Sequence, residues 1–133
     1  MKFITTNNAP QAIGPYSQAV EANGMIYTSG QIGLTPEGAF AATDVAGQTH
    51  QVMRNLTAVL DAAGVTLNEV IKTTIFLADM NDFAAVNDIY ASYFGAHRPV
   101  RSTVAVKTLP ANALVEIDCV ALSSSSTGGD YSY

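Results

Sequence analysis

The chain has 133 residues, 48% of them hydrophobic and only 13% charged, with six Lys and Arg against eleven Asp and Glu for a net charge of −5. That length and apolar content fit a single domain around a single core. The acidic balance, with only Arg98, Arg101 and Lys107 close together among the basic residues, does not supply the cationic face that a phosphate backbone needs, so nucleic acid is not expected as a partner. A surface so poor in charge points instead to an oligomer that hides apolar area.

The lone Cys119 excludes an intrachain disulfide, and His50 and His97 have no Cys or His near them at metal-motif spacing, so nothing here requires a metal. The first residues, MKFITTNNAPQ, lack the apolar stretch of a signal peptide, and no run reaches the length that spans a bilayer. The expected location is the cytosol, with no membrane partner.

In chain order, residues 17–22 and 25–29 flank Asn23-Gly24, a dipeptide that tolerates the positive φ angles of a tight hairpin turn, which predicts a β-hairpin. Residues 33–43 (GLTPEGAFAAT) read as a loop. Asp44 stands at an N-cap position, Val45, Val52, Leu56, Val59, Leu60 and Ala63 fall on one helical face, and Gly64 follows, which predicts an amphipathic helix of about five turns. Residues 70–78 (VIKTTIFLA) are rich in β-branched side chains and predict a central strand. A second helix is predicted from Asn81 or Asp82 to Gly95, with Phe83, Val86, Ile89, Tyr90, Tyr93 and Phe94 at helical spacing. Strands over 102–107 and 114–122 follow, joined through a turn at Pro110 and Asn112, and Ser123 to Tyr133 reads as a mobile low-complexity tail beyond a single domain over 1–122. This order predicts an α+β fold, a sheet covered on one face by both helices. In the last strand the odd set Val115, Ile117, Cys119 and Ala121 suits the covered face. The mixed set Leu114, Glu116, Asp118, Val120 and Leu122 suits a surface that meets another subunit and carries polar groups.

Several side chains are candidates for chemistry, each with a plainer alternative. Arg101 opens a strand with Thr103 on the same face, where its guanidinium can grip a carboxylate with two parallel hydrogen bonds, or else pair structurally with Glu116 or Asp118. Glu116 lies in an apolar strand and either activates a water or forms a structural or interface ion pair. If the strands around 102 and 118 pair as an antiparallel hairpin, Arg101, Thr103, Glu116 and Asp118 share one face. Tyr16, constrained by Gly14 and Pro15, aims its phenol into a pocket or packs in the core. Ser29 and Gly30 either let backbone amides approach a small anion or simply end a strand. Asn87, inside the second helix, faces solvent or a cleft. Cys119 reads as a packed thiol without a catalytic role.

Six collinear fragments, IGPYSQAV (13–20), YTSGQI (27–32), NLTAVLDAAG (55–64), VIKTTIFLADMNDFAAVNDIY (70–90), RPVRSTVAV (98–106) and LPANALVEI (109–117), together resemble the reactive-intermediate-deaminase (Rid, formerly YjgF) family over about residues 8–122. The resemblance implies a chorismate-mutase-like fold, a single mixed sheet with two helices on one face, assembled as a homotrimer with active sites in clefts between subunits. It further implies hydrolysis of 2-imino acids, formed from 2-enamino acids, to 2-keto acids and ammonia without a cofactor. Arg101 matches the family's carboxylate-binding arginine, Glu116 its water-positioning glutamate and Tyr16 its phenol. Ser29, Gly30, Asn87 and Thr103 match the remaining cleft positions. Val100, Gly33 and the short connection 95–98 depart from the family pattern at places expected to shape the pocket mouth. Binding of a 2-keto acid without turnover is the competing expectation, and a ribonuclease is disfavoured by the acidic balance.

Overall fold

The structure, a computed structural model, describes residues 1–124. Ser123 is buried and its N–H donates to the Gly24 carbonyl, so the tail predicted from that residue begins inside the fold; the rest of the tail, 125–133, lies outside the described residues.

The predicted hairpin forms from β2 (Ala19–Ala22) and β3 (Met25–Thr28), and Asn23 (φ 53°) and Gly24 (φ 77°) both take the left-handed conformation that its tight turn requires. A short strand that the sequence did not announce, β1 (Lys2–Ile4), adds antiparallel to β2. Three residues show no usable alternation, which is why it escapes a reading by periodicity. Helix α1 (Val45–Ala62) begins at Asp44, whose side chain accepts from the Gly47 N–H, and is followed by Gly64 at φ 87°. Strand β4 (Val70–Leu77) precedes a short 3-10 turn capped by Asp79, then α2 (Phe83–Phe94), β5 (Val100–Ala105) and β6 (Val115–Leu122).

The six strands lie in the order β1-β2-β3-β6-β4-β5. Strand β5 pairs parallel with β4 across the α2 crossover, and β6 inserts between β3 and β4, antiparallel to both. The antiparallel hairpin of β5 with β6, the condition for Arg101, Thr103, Glu116 and Asp118 to share a face, therefore does not form. A β-α-β crossover sets parallel neighbours, and β6, buried at every second residue, takes the interior position instead of the edge. Strand β5 also starts two residues earlier than predicted, directly after Pro99.

Both helices cover one face. Val52, Met53, Leu56, Val59 and Leu60 of α1 and Val86, Tyr90 and Phe94 of α2 form the core with Ile26, Ile75, Leu77, Val115, Ile117 and Cys119 of the sheet. The odd positions of β6 point into this core, as their pattern predicted. Helix α1 also buries Gln48, Gln51 and Asn55. The Asn55 amide donates to the carbonyls of Ile32 and Leu34, and Gln48 accepts from Leu114 N–H and donates to the Ala42 carbonyl. These amides satisfy loop backbone that would otherwise be buried without partners. Among the described residues, no helix covers the opposite sheet face. One cross-strand row on it runs Phe3, Val20, Tyr27, Val120, Lys72 and Val100, with Phe3 at 66% and Val100 at 67% exposure.

Candidate active site

Two separate clusters contain the candidate residues. In the first, Arg101 of β5 lies opposite Thr73 of β4, which lies opposite Cys119 of β6, so Arg101 shares the helix-covered face. Its Nη1 donates to Asn87 Oδ1 at 2.8 Å, and its guanidinium carbon lies 5.5 Å from the Phe83 ring centre and 5.0 Å from that of Tyr90. Tyr90 is itself held by a 2.7 Å hydrogen bond to Thr73, and burial pushes its phenol further above the usual range, so it stays neutral. One amide and two rings thus set the plane of the guanidinium, and its remaining donors stay exposed. A cavity of about 460 Å³ opens here, lined by Asn87, Tyr90, Arg98, Pro99 and Arg101. Thr103 lies on the same face of β5, and its hydroxyl oxygen is buried without a hydrogen-bond partner among the described residues.

The second cluster surrounds Glu116. Glu116 lies opposite Phe76, on the face without helices. A cavity of about 450 Å³ is lined here by Tyr16, Ser29, Gly30, Gln31 and Glu116, with Ile32, Leu34, Pro110 and Ala111 beside them. Paired backbone bonds between Gln31 and Ile117, at 2.9 and 3.1 Å, draw the 29–31 segment onto β6. Gly30 thereby comes so close to the Glu116 carboxylate that a Cβ on it would stand 2.0 Å from Oε2. Burial first, and the neighbouring Asp118 second, raise Glu116 above the ordinary carboxylate range. Asp118 is raised too by burial, an effect that Lys72 opposes. The Tyr16 hydroxyl accepts from the Ile13 N–H at 3.3 Å, which leaves its proton available, and the ring is 53% exposed. The Ser29 hydroxyl donates to the Ser17 carbonyl, so it offers a ligand lone pairs and no proton.

Arg101 and Thr103 therefore do not share a face with Glu116 and Asp118. Because β4 separates β5 from β6, the register places the two pairs on opposite faces of one sheet. The structure brings Arg101 to Asn87, and Glu116 to Tyr16, Ser29 and Gly30, but does not join these clusters within one chain. Phe83 and Tyr90 escaped notice as site residues because their helical spacing marks them equally well as core. Ala111 escaped notice although it lies at φ 56°, a left-handed conformation that is costly for alanine. Of the departures from the family pattern, Val100 points to the helix-free face, away from the Arg101 cavity. Gly33 packs so tightly on α1 that a Cβ would stand 2.8 Å from Gln48 Cα, and Arg98 from the short connection lines the Arg101 cavity. Cys119 is buried, with its thiol pushed up to about 12 by that burial against a weak opposing contact with Thr28, which agrees with a packed thiol. Among the described residues no three His, Cys, Asp or Glu side chains gather where a metal ion could sit.

A profile of the family described as Endoribonuclease L-PSP matches residues 6–123. The chain is 50% identical over 121 residues to the Reactive Intermediate Deaminase A, chloroplastic, of Arabidopsis thaliana, covering 90% of this chain and 65% of that protein. It is 48% identical over 122 residues to the 2-iminobutanoate/2-iminopropanoate deaminase of Mus musculus, covering 91% of this chain and 90% of that one. The chain belongs to the Rid family. The fold of this Rid protein also matches the crystal structure of Escherichia coli TdcF with bound serine, at a TM-score of 0.89 and 40% identity, covering 93% of this chain and all of that one.

The tight approach at Gly30 of the Rid chain gives a direct prediction. Gly30→Ala should fold, since the added methyl meets only a side chain, yet it should expel the Glu116 carboxylate and lower any hydrolysis that depends on that carboxylate about tenfold or more. Circular dichroism and steady-state kinetics on the purified variant check both parts.

Proposed function

We propose that this Rid protein hydrolyses 2-imino acids, formed by tautomerisation of 2-enamino acids, to 2-keto acids and ammonia, without a cofactor, at clefts where the Arg101 cluster of one subunit meets the Glu116 cluster of a neighbour. The observation that carries the reading is the division itself. A carboxylate clamp without a base opens on one face, and a base without a cation opens on the other. Relatives named as deaminases support an enzyme of Rid type, and the bare apolar sheet face supports assembly as a homotrimer. No helix among the described residues is long and apolar enough to cross a membrane; a cytosolic location belongs to the proposal.

In this mechanism Arg101, pre-set by Asn87, Phe83 and Tyr90, takes the substrate carboxylate through two parallel N–H donors, with Thr103 on the same face of its strand. That converts an encounter into an oriented reaction. Glu116, ionised, takes a proton from water as its oxygen bonds to C2, and then passes that proton to the nitrogen. Glu116, ionised again, then takes the carbinolamine hydroxyl proton and delivers it to the amino nitrogen as the C=O bond forms and the C–N bond breaks, so that ammonia leaves. Tyr16 steadies the carbinolamine oxygen with its free proton, and Ser29 accepts from the nitrogen's hydrogens.

The test generates 2-iminopropionate and 2-iminobutyrate in situ with an amino-acid oxidase and follows their loss against semicarbazide trapping. Acceleration beyond the uncatalysed rate is expected. Tight binding of pyruvate without acceleration would instead favour a protein that senses 2-keto acids.

A further inference from the structure

Helix α1 buries three amides along one edge, Gln48, Gln51 and Asn55, spaced so that they share one face over about two turns. Their partners belong to the two segments that enclose Glu116. The Leu114 N–H, two residues before Glu116 in the chain, donates to Gln48 Oε1 at 2.9 Å. Asn55 Nδ2 donates to the carbonyls of Ile32 and Leu34 at 3.2 and 2.8 Å, just beyond Gly30. We propose that Gln48 and Asn55 are positioning residues, which hold the Gly30 segment and the Glu116 strand at the separation where Gly30 fits against the carboxylate. Neither amide lines the Glu116 cavity itself, so both act on the base only through this backbone.

The direction of the bonds along this row is fixed. Backbone carbonyls only accept and the Arg54 guanidinium only donates, so the donors all point one way. Arg54 Nη1 donates to Gln51 Oε1 at 3.4 Å, Gln51 Nε2 donates to Asn55 Oδ1 at 2.9 Å, and Asn55 donates to the loop. Asn55 cannot turn its oxygen to the loop without setting it against two carbonyls and losing the Gln51 bond. Gln48 is held at both ends too, since its Nε2 donates to the Ala42 carbonyl. A Cβ on Gly33 would stand 2.8 Å from Gln48 Cα, so the loop lies flat on the helix, and the Gln31–Ile117 bonds tie the same segment to β6. Gly30 is caught between these anchors, where a Cβ would stand 2.0 Å from Glu116 Oε2. An apolar side chain at 48 or 55 would pack in the same core but leave the Leu114 N–H or the loop carbonyls without these partners. Water would then enter beside Glu116, whose raised pKa rests first on burial. The titratable groups that face Glu116 are Tyr16, which lines its cavity, and Asp118 of its own strand, itself opposed by Lys72 of β4; among the described residues the amide row bonds to none of them.

The experiment compares the full chain with its Asn55→Ser, Gln48→Met and Val59→Ala variants. Serine keeps one donor for the loop, and methionine keeps the length of glutamine without its hydrogen-bonding groups. Val59, fully buried on α1 in the core, is the control, because its truncation loosens the helix without touching the row. Asn55→Ser and Gln48→Met should each lower kcat for 2-iminopropionate about tenfold or more, leave the pyruvate Kd within about twofold, and move the acidic limb of kcat to lower pH. Val59→Ala should lower the melting temperature alone. NMR titration of the Glu116 carboxyl reads the same change without turnover: it should fall toward the ordinary carboxylate range in both amide variants and stay in Val59→Ala. Turnover as a readout rests on the deaminase reading; the titration does not. Amide variants that melt lower but keep the parent's kcat, acidic limb and carboxyl titration overturn the positioning role while the deaminase reading stands. An equal shift in Val59→Ala also overturns it, because general loosening then suffices. A parent that turns over no imine, with the titration shifted in both amide variants, upholds the positioning role and overturns the deaminase. If Asn55→Ser fails to fold, Gln48→Met decides between these outcomes.

Discussion

Glu116→Gln is expected to lose imine hydrolysis by about 100-fold or more while still assembling and binding pyruvate. Glutamine keeps the shape that fits against Gly30 but cannot take a proton from water. The raised pKa of Glu116 gives the parent a pH signature: the base is active only when ionised, so kcat should fall as pH drops through a value above the ordinary carboxylate range. The same shift has a consequence for stability. Because the folded carboxyl titrates higher than in the unfolded chain, its contribution to stability is fully present below the unfolded value and is lost as pH rises through the folded one. At neutral pH the ionised Glu116 therefore sits in the fold at a cost, and the glutamine variant should melt at a higher temperature than the parent. A kinetic profile and thermal melts at acidic and neutral pH check both directions.

Arg101→Ala is expected to abolish both keto-acid binding and imine hydrolysis, and Arg101→Lys to recover little of either. Arg101 is exposed and contacts one amide and two ring faces, so neither change should unfold the chain. Lysine keeps the charge but has no planar fork. It can neither lie flat against Phe83 and Tyr90 while bonding Asn87 nor offer two parallel donors. A substrate held by a point charge swings about it, and C2 no longer meets the Glu116 water at a fixed angle. Calorimetry with pyruvate, together with single-turnover kinetics, separates lost binding from lost chemistry. Full activity in the lysine variant would show that charge alone suffices.

The fold was largely readable because its signals are local. Asn23-Gly24 requires one kind of turn, Asp44 and Gly64 bracket α1, and the odd residues of β6 announce a buried face. The pairing of β5 was not readable, since alternation along a strand tells which residues share its face but never which strand lies beside it. That uncertainty passed directly to the site. Arg101 with Thr103, and Glu116 with Asp118, are each correctly paired within a strand, yet the insertion of β6 beside β4 sends the two pairs to opposite faces. The roles of Gln48, Gln51 and Asn55 were not readable for a similar reason. On a helical wheel they look like a solvated edge, and only the loop laid over them makes them structural.

If one working site takes Arg101 from one chain and Glu116 from another, mixing two kinds of inactive chain should restore it. Arg101→Ala and Glu116→Gln chains, each inactive alone, are co-expressed with different affinity tags and purified over both. In a cyclic trimer that contains both kinds of chain, one of the three clefts pairs an intact Arg101 with an intact Glu116, so activity should return to about one third of the parent's. Mixed assemblies as inactive as the single variants would place both residues of each working site in the same chain and rule out a shared cleft.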